Sequence, residues 1–515
     1  MAIRHTQLSW RAALASCAAL ASCVALAALS ASAFAKDLPP SPEGAQKLQA
    51  FFATYVGKPA AGAPPMITIT PESADYAVSI DLGALAAPAK ALGFSYDPAK
   101  IVYKVVEQDD GAWRVESDSF PTIAVHIHLD KSGQPVDGTE TIAMSGAKGL
   151  TVIDPAIGFW RNLSFQADSA NIQVKFPGVD EDVQVGATKV DGTGQAGADG
   201  AVSAAMTQSL GNLNFKFVVD HKAMKTDKTG GDDSPDSGPV TVTAKADQVS
   251  ADAKLDGLKT RPLLDLWAFL IAHPSRPELA ANEAAFKSLL AAALANPVKF
   301  DESATVGKIS AQIPQGQVTI ESAKFGASGA SGSPGAFGEH FAADGLTLPP
   351  TLVPALFRDF APTSFAVGFH ASGFDVASAV SEAIADMHLA GDGPAIAPDD
   401  EAKVRAKLIG PDGIVIDIEP SNIVAPLLDI SFDGHVVYKG AKPTGKVTVH
   451  MRNFDKTQAG LKTLGPDVEK KVAPALAMAK GLAKTDGDGS LMWVGEIGAD
   501  GVMKVNGLPL GKSPI

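Results

Sequence analysis

His126-Ile127-His128 puts two imidazoles on one side of an extended segment, because side chains alternate along a strand. Two rings on one face are the start of a metal-dependent hydrolase site. That side is the polar one, shared with Asp130, and no second cluster of His and carboxylates follows at ligand spacing. His221, His273, His340, His370, His388, His435 and His450 are scattered singly. Solvated strand histidines therefore account for the pair better than a metal centre.

Other motifs fail on context. Gly192-Thr193-Gly194-Gln195-Ala196-Gly197 satisfies G-x-G-x-x-G, yet Asp199-Gly200-Ala201-Val202 reads as a hairpin into a strand, leaving no helix N-terminus for a pyrophosphate. Asp486-Gly487-Asp488-Gly489-Ser490 has a calcium-loop rhythm, but Leu491 stands at the sixth position and Ile497 at the twelfth, so a hairpin-entry loop is expected. Ser328 and Ser331 miss G-x-S-x-G because Ala330 and Ser333 occupy the final glycine positions. No catalytic residue, metal or cofactor is assigned, and the expectation is a non-enzymatic protein.

The chain that carries these residues starts with Arg4 and Arg11, an Ala/Leu run and Ser32-Ala33-Phe34-Ala35, the parts of a secretory signal peptide over residues 1–35. Leu14-Ala15-Ser16-Cys17 and Leu20-Ala21-Ser22-Cys23 resemble lipoprotein boxes, but cleavage at Cys23 would leave an apolar tail, so ordinary cleavage and a periplasmic protein are expected. Both cysteines fall in that presequence, which excludes disulfides and thiolate metal sites from the mature chain. Without the two arginines, 41 basic residues face 57 acidic ones, and net charge moves from −14 to −16. Such a chain repels phosphate backbones, which sets nucleic acid aside. No later apolar run reaches the ~20 residues of a membrane span.

Residues 36–259 read as an N-terminal helix plus a β-meander. Ser41-Pro42-Glu43 starts a helix whose Leu48, Phe51, Phe52, Tyr55 and Val56 form one stripe. Then period two takes over: Tyr76/Val78/Ile80/Leu82, Ile123/Val125/Ile127/Leu129, Ile172/Val174/Phe176, Leu213/Phe215/Phe217/Val219 and Val240/Val242/Ala244. Glycine turns and the acidic loop from Asp227 to Pro239 punctuate it. About a dozen strands at ~4.8 Å spacing span roughly 60 Å, whereas a helix covers about 10 Å. The sheet must curl, split or keep an apolar trough. Val78, Ile80, Val125, Ile127, Leu213, Phe215 and Phe217 are the candidate ligand-binding residues of that trough.

Residues 260–298 read as a central helix pair, the first apolar on all sides and suited to burial as a plug. Residues 299–515 read as a mixed lobe. Gly257-Leu258, Gly345-Leu346, Gly373-Phe374 and Asn453-Phe454 recur as strand-to-helix corners, where Gly or Asn permits the reversal. Gly326–Gly338, GASGASGSPGAFG, is expected to be a flexible loop. A helix from Asp467 to Lys484 and a hairpin turning at Asp500-Gly501 close the chain. The fold class is thus α+β, β-dominated: a large curled antiparallel sheet, as groove, partly closed barrel or sandwich, with a central helix pair and C-terminal helices.

The final Gly501-Val502-Met503-Lys504-Val505-Asn506-Gly507-Leu508-Pro509-Leu510, with the order of the parts before it, resembles the YdgA-like group of Gram-negative envelope proteins and, more distantly, AsmA-type proteins. The first resemblance rests on a closing D/N-G-x-L/M-x-V-N-G-x-x-L hairpin; it brings no catalytic residues, and the group's uncleaved anchor is expected to be lost here with the signal peptide. The second implies a curled sheet that carries lipid along an apolar groove. Together with the trough, it sets the expectation of a lipid or amphiphile ligand. The alternative is a structural or interaction module holding an envelope partner, and a hydrolase using His126 and His128 is the least favoured.

Overall fold

The computed structural model describes residues 35–512 apart from 59–61, 63, 86–92, 132–133, 198, 221–237, 392, 411 and 440–441. The expected signal peptide, except Ala35, and most of the acidic loop lie outside the described residues. The fold is β-dominated, with strand over 52% and helix over 23%. The sheet has 25 antiparallel strands and does not close into a barrel.

The chain forms two compact units. The first takes in the chain to Thr241 with Gln248–Asp252 and Lys259–Pro274; the second has Val242–Asp247, Ala253–Leu258 and Ser275–Ile515. This boundary, at Pro274/Ser275, falls inside the 260–298 interval.

In order, the chain runs α1 (Pro42–Tyr55), β1 (Ile67–Pro71), β2 (Tyr76–Asp81), α2 (Leu82–Leu85), β3 (Phe94–Tyr96), β4 (Lys100–Glu107), β5 (Trp113–Ser117), β6 (Ile123–Lys131), β7 (Gln134–Ser145), β8 (Lys148–Asp154), β9 (Phe159–Ala167), β10 (Ser169–Phe176), β11 (Val179–Val185), β12 (Thr188–Ala196), β13 (Val202–Val219) and β14 (Val240–Leu258). In the first unit the pairings give the order β1-β2-β4-β5-β8-β9-β12-β13-β11-β10-β7-β6-β3. Behind this order is a simple meander of long strands, each interrupted once. β11 and β12 share one register against β13, and β9 and β10 share one against β12 and β11.

At the interruptions the inward side chains step by three residues instead of two: Met144 to Ala147, Ala167 to Ala170, Val185 to Thr188, Leu210 to Leu213. Asn212 takes φ 47° at the last of them. A shared phase shift of this kind divides the sheet into two arms along one line while keeping one apolar face, as bulges do when they bend a ladder. Leu163, Phe165 and Val190 make the core of one arm, and Ile142, Ile172 and Val174 that of the other. Phe120 packs against both.

The chain continues with α3 (Thr260–Ala272), α4 (Arg276–Ala281), α5 (Glu283–Leu294), β15 (Lys299–Ile313), β16 (Gly316–Ala330), β17 (Gly335–Asp344), a 3-10 helix (Ala355–Phe360), β18 (Ser364–Phe374), α6 (Val376–Ala385), α7 (Pro398–Leu408), β19 (Ile414–Ala425), β20 (Leu428–Lys439), β21 (Lys442–Arg452), α8 (Phe454–Thr463), α9 (Pro466–Leu482), β22 (Lys484–Thr485), β23 (Leu491–Ile497), β24 (Val502–Val505) and β25 (Leu508–Lys512). From β15 to β21 each strand pairs with the next; β21 then pairs with β23, and β23 to β25 finish the meander.

Three expectations are corrected. GASGASGSPGAFG is not a loop but the end of β16 and the start of β17, in register from Ala330↔Ala336 to Gly326↔His340. Its glycines leave room for cross-strand rings: a Cβ on Gly329 would meet Phe300, and one on Gly326 would meet His340. The helix pair is three helices, because Asn282 ends α4 and begins α5. Helix α3 is not enclosed: Thr260 is its one buried residue and Trp267 is 51% exposed. It lies along α1, with the Trp267 indole N–H donating to the Tyr55 carbonyl at 2.7 Å.

The reversals form as the spacing implies, although Gly345 leads through a bridge at Thr347 to the 3-10 helix rather than to an α-helix. Gly257, Gly345, Gly373 and Asn453 all have positive φ, 84°, 67°, 89° and 58°. Phe454, just after the last, is 6% exposed.

Candidate functional site

An apolar cavity lies in the first unit, between α1 and the sheet. Its helix is set by capping: Ser41 accepts from the Gly44 N–H at 3.0 Å, and Pro42 starts the first turn. The Ser41 N–H donates to the Tyr76 hydroxyl at 2.8 Å, and Tyr76 is 1% exposed. A Cβ on Gly44 would lie 1.9 Å from that hydroxyl, so only glycine lets the helix sit this close.

Helix α1 then contributes Leu48, Phe51 and Phe52 to the roof, while Val78, Ile80, Tyr103, Val105, Trp113 and Val115 form the floor. The cavity encloses about 500 Å³, within the range of small-ligand pockets. Its wall is apolar except at one side, where Lys47 Nζ donates to Glu107 Oε1 at 2.6 Å, an ion pair from the helix to β4. The Glu107 bond, followed by its charge, raises the Lys47 pKa. An aliphatic chain fits such a lining, and the ion pair supplies a polar rim.

Of the seven trough residues read from the sequence, Val78 and Ile80 line this cavity. Val125, Ile127, Leu213, Phe215 and Phe217 lie instead on the other arm, half-buried on its apolar face, with Phe215 and Phe217 stacked at 6.2 Å. The roof residues and Tyr103, Val105 and Trp113 escaped that list. Their signal was present in the stripe of α1 and the alternation of KIVYKVVE.

The two strand histidines do not converge. His126 Nε2 bonds Asp97 at 2.8 Å, whereas His128 Nδ1 bonds Asp137 at 2.6 Å, and both rings are exposed. Among the described residues, no group of three His, Cys, Asp or Glu is placed to hold a metal ion. Gly192 and Gly194 lie within β12, where Cβ atoms would strike Trp160 and Phe159. They serve packing, not a phosphate. Ser331 accepts from the Val298 N–H at 2.9 Å in a turn. Asp488 accepts from the Ser490 N–H at 2.9 Å in the loop entering β23, and Ser490, followed by Arg452, holds its pKa down at about 2.

In the second unit, Phe325, Phe341 and Val367 stand directly opposite one another across β16, β17 and β18. They are 41%, 41% and 37% exposed, with Phe300 and Phe337 beside them at 39% and 38%. This is an apolar sheet face open to solvent.

Comparison with protein-family models, curated proteins and solved structures finds no match. The reading therefore rests on geometry.

Proposed function

We propose that this is an exported envelope protein that binds the hydrocarbon part of an amphiphile or lipid, without catalysing a reaction. The observation that carries the reading is the 500 Å³ cavity under α1, apolar throughout except for the Lys47–Glu107 pair at its edge. Core space of that size is filled by side chains in most domains, because packing approaches crystalline density. The signal-peptide reading places the protein in the periplasm, and the AsmA-type likeness supplies the idea of lipid on a sheet face; both belong to this proposal.

The test is displacement of a fluorescent fatty acid, with Ile80→Trp as the blocking variant. The larger ring fills the cavity floor, so binding is expected to fall at least about tenfold while the circular dichroism spectrum stays unchanged. Equal binding by the folded variant would remove the cavity from the account.

A second reading has its own observation. The open phenyl face of β15–β18 suits a protein partner from the envelope, since uncovered apolar patches mark interaction surfaces. Stoichiometric capture of one envelope protein, lost in Phe325→Ser with Phe341→Ser, would favour it.

A further inference from the structure

The arm of the first unit's sheet away from the helix-capped cavity has an apolar face with two acids set into it. Carrying the registers across gives one row on that face: Tyr96, Val125, Glu140, Val174, Glu181 and Phe217. The two glutamates flank Val174, two strand spacings or about 10 Å apart at the backbone. Over residues 123–130 of β6 and along the described residues of β7, β10, β11 and β13, alternation puts no Lys, Arg or His on this face; Lys131, at the end of β6, is about 20 Å along the strand from Val125, while Lys175, Asp180, Asp182 and Lys216 point to the opposite side.

Glu181 is 6% exposed. No described residue donates a hydrogen bond to its carboxylate or opposes its charge. Burial, and next the charge of Glu140, push its pKa up, as expected for a carboxylate without a counter-charge. A buried acid without a partner is expensive, and an apolar residue would pack there more cheaply. The missing counter-charge then belongs to something that arrives.

We propose that this arm holds the cationic head of an amphiphile, a primary alkylammonium, between Glu140 and Glu181, with its chain on the phenyl rings of Phe176, Phe215 and Phe217. An ammonium has three N–H donors and no acceptor, so it can serve two carboxylates at once. An anionic head would meet two like charges, and a neutral alcohol would leave the Glu181 charge uncompensated. The proposal rests on the reading that apolar faces of this protein bind amphiphiles, and it names the head group that this face selects.

The test is titration of the full chain with decylammonium, decanol and decanoate, each below its aggregation limit. Decylammonium is expected to bind at least about tenfold tighter than decanol, with decanoate weakest, as charge-assisted hydrogen bonds imply. Glu181→Gln should bring decylammonium to within about twofold of decanol and leave decanol binding unchanged, which also shows that the variant is folded. Asp180→Asn removes the same charge from the opposite face and should keep the preference. Equal binding of decylammonium and decanol, a preference that survives Glu181→Gln, or one lost equally in Asp180→Asn would each overturn the head-group assignment alone. Binding of none of the three probes would overturn the amphiphile reading with it.

Discussion

The second unit carries one apolar sheet face with two fates. At β20, β21 and β23, helices α8 and α9 roof it: Met451 and Phe454 are buried, and the Trp493 indole N–H donates to the Ala479 carbonyl at 2.7 Å. At β15 to β18 the same face keeps five large side chains more than a third exposed. The registers carry Phe365, which alternation puts on the side of Val367, through Ile423, Ile430 and Met451 to Leu491, on the side of β23 that Trp493 occupies. Strand alternation is alike at both ends, so alternation determines which side is apolar and not whether that side becomes core. A helix has to arrive, and Asn453 turns the chain so that α8 does.

Breaking the roof should have the largest effect. Trp493→Ala removes both the packing and the helix anchor and is expected to destabilise by about 3 kcal/mol, read from the urea midpoint. A loss under about 1 kcal/mol would mean that α8 and α9 rest on the sheet without holding it. The roof of the first unit is next. Gly44→Ala forces a Cβ against the Tyr76 hydroxyl, and overpacking of that kind costs about 2 kcal/mol. Phe341→Ala, at the open end, should change stability by less than about 1 kcal/mol, because little area returns to water, yet reduce binding of an apolar dye. A large stability loss there would show that the open end is covered in solution.

The smallest effect concerns the turn before β23. The carboxyl of Asp488 is depressed to about 2 in the folded state, below its ordinary 3.8, so its contribution is present above about 3.8 and lost as pH falls through about 2. The protection factor of the Ser490 amide, its exchange relative to the intrinsic rate at each pH, should fall in that window and become independent of pH in Asp488→Asn.

Much of this was legible in the residues. Period two located the strands, and the Gly and Asn corners located the reversals, because φ above zero leaves few residue types available. What failed was composition: GASGASGSPGAFG has linker chemistry, yet its missing Cβ atoms are the sockets for Phe300 and His340, partners a strand away that no local window contains. The site was legible by halves. Alternation found Val78 and Ile80, but the phase shifts at Ala147, Ala170, Thr188 and Leu213 sort the trough residues onto two arms, and only pairing registers reveal that. Glu140 and Glu181 passed unnoticed because an acid in an alternating strand ordinarily marks the wet side.

The claim on which the rest depends is that the space beneath α1 holds a hydrocarbon chain. Native mass spectrometry of the protein, purified without detergent from the cells that produce it, measures this directly. The account predicts a bound species of a few hundred daltons that Ile80→Trp abolishes; the bare polypeptide mass alone, with no uptake of added fatty acid, would contradict it.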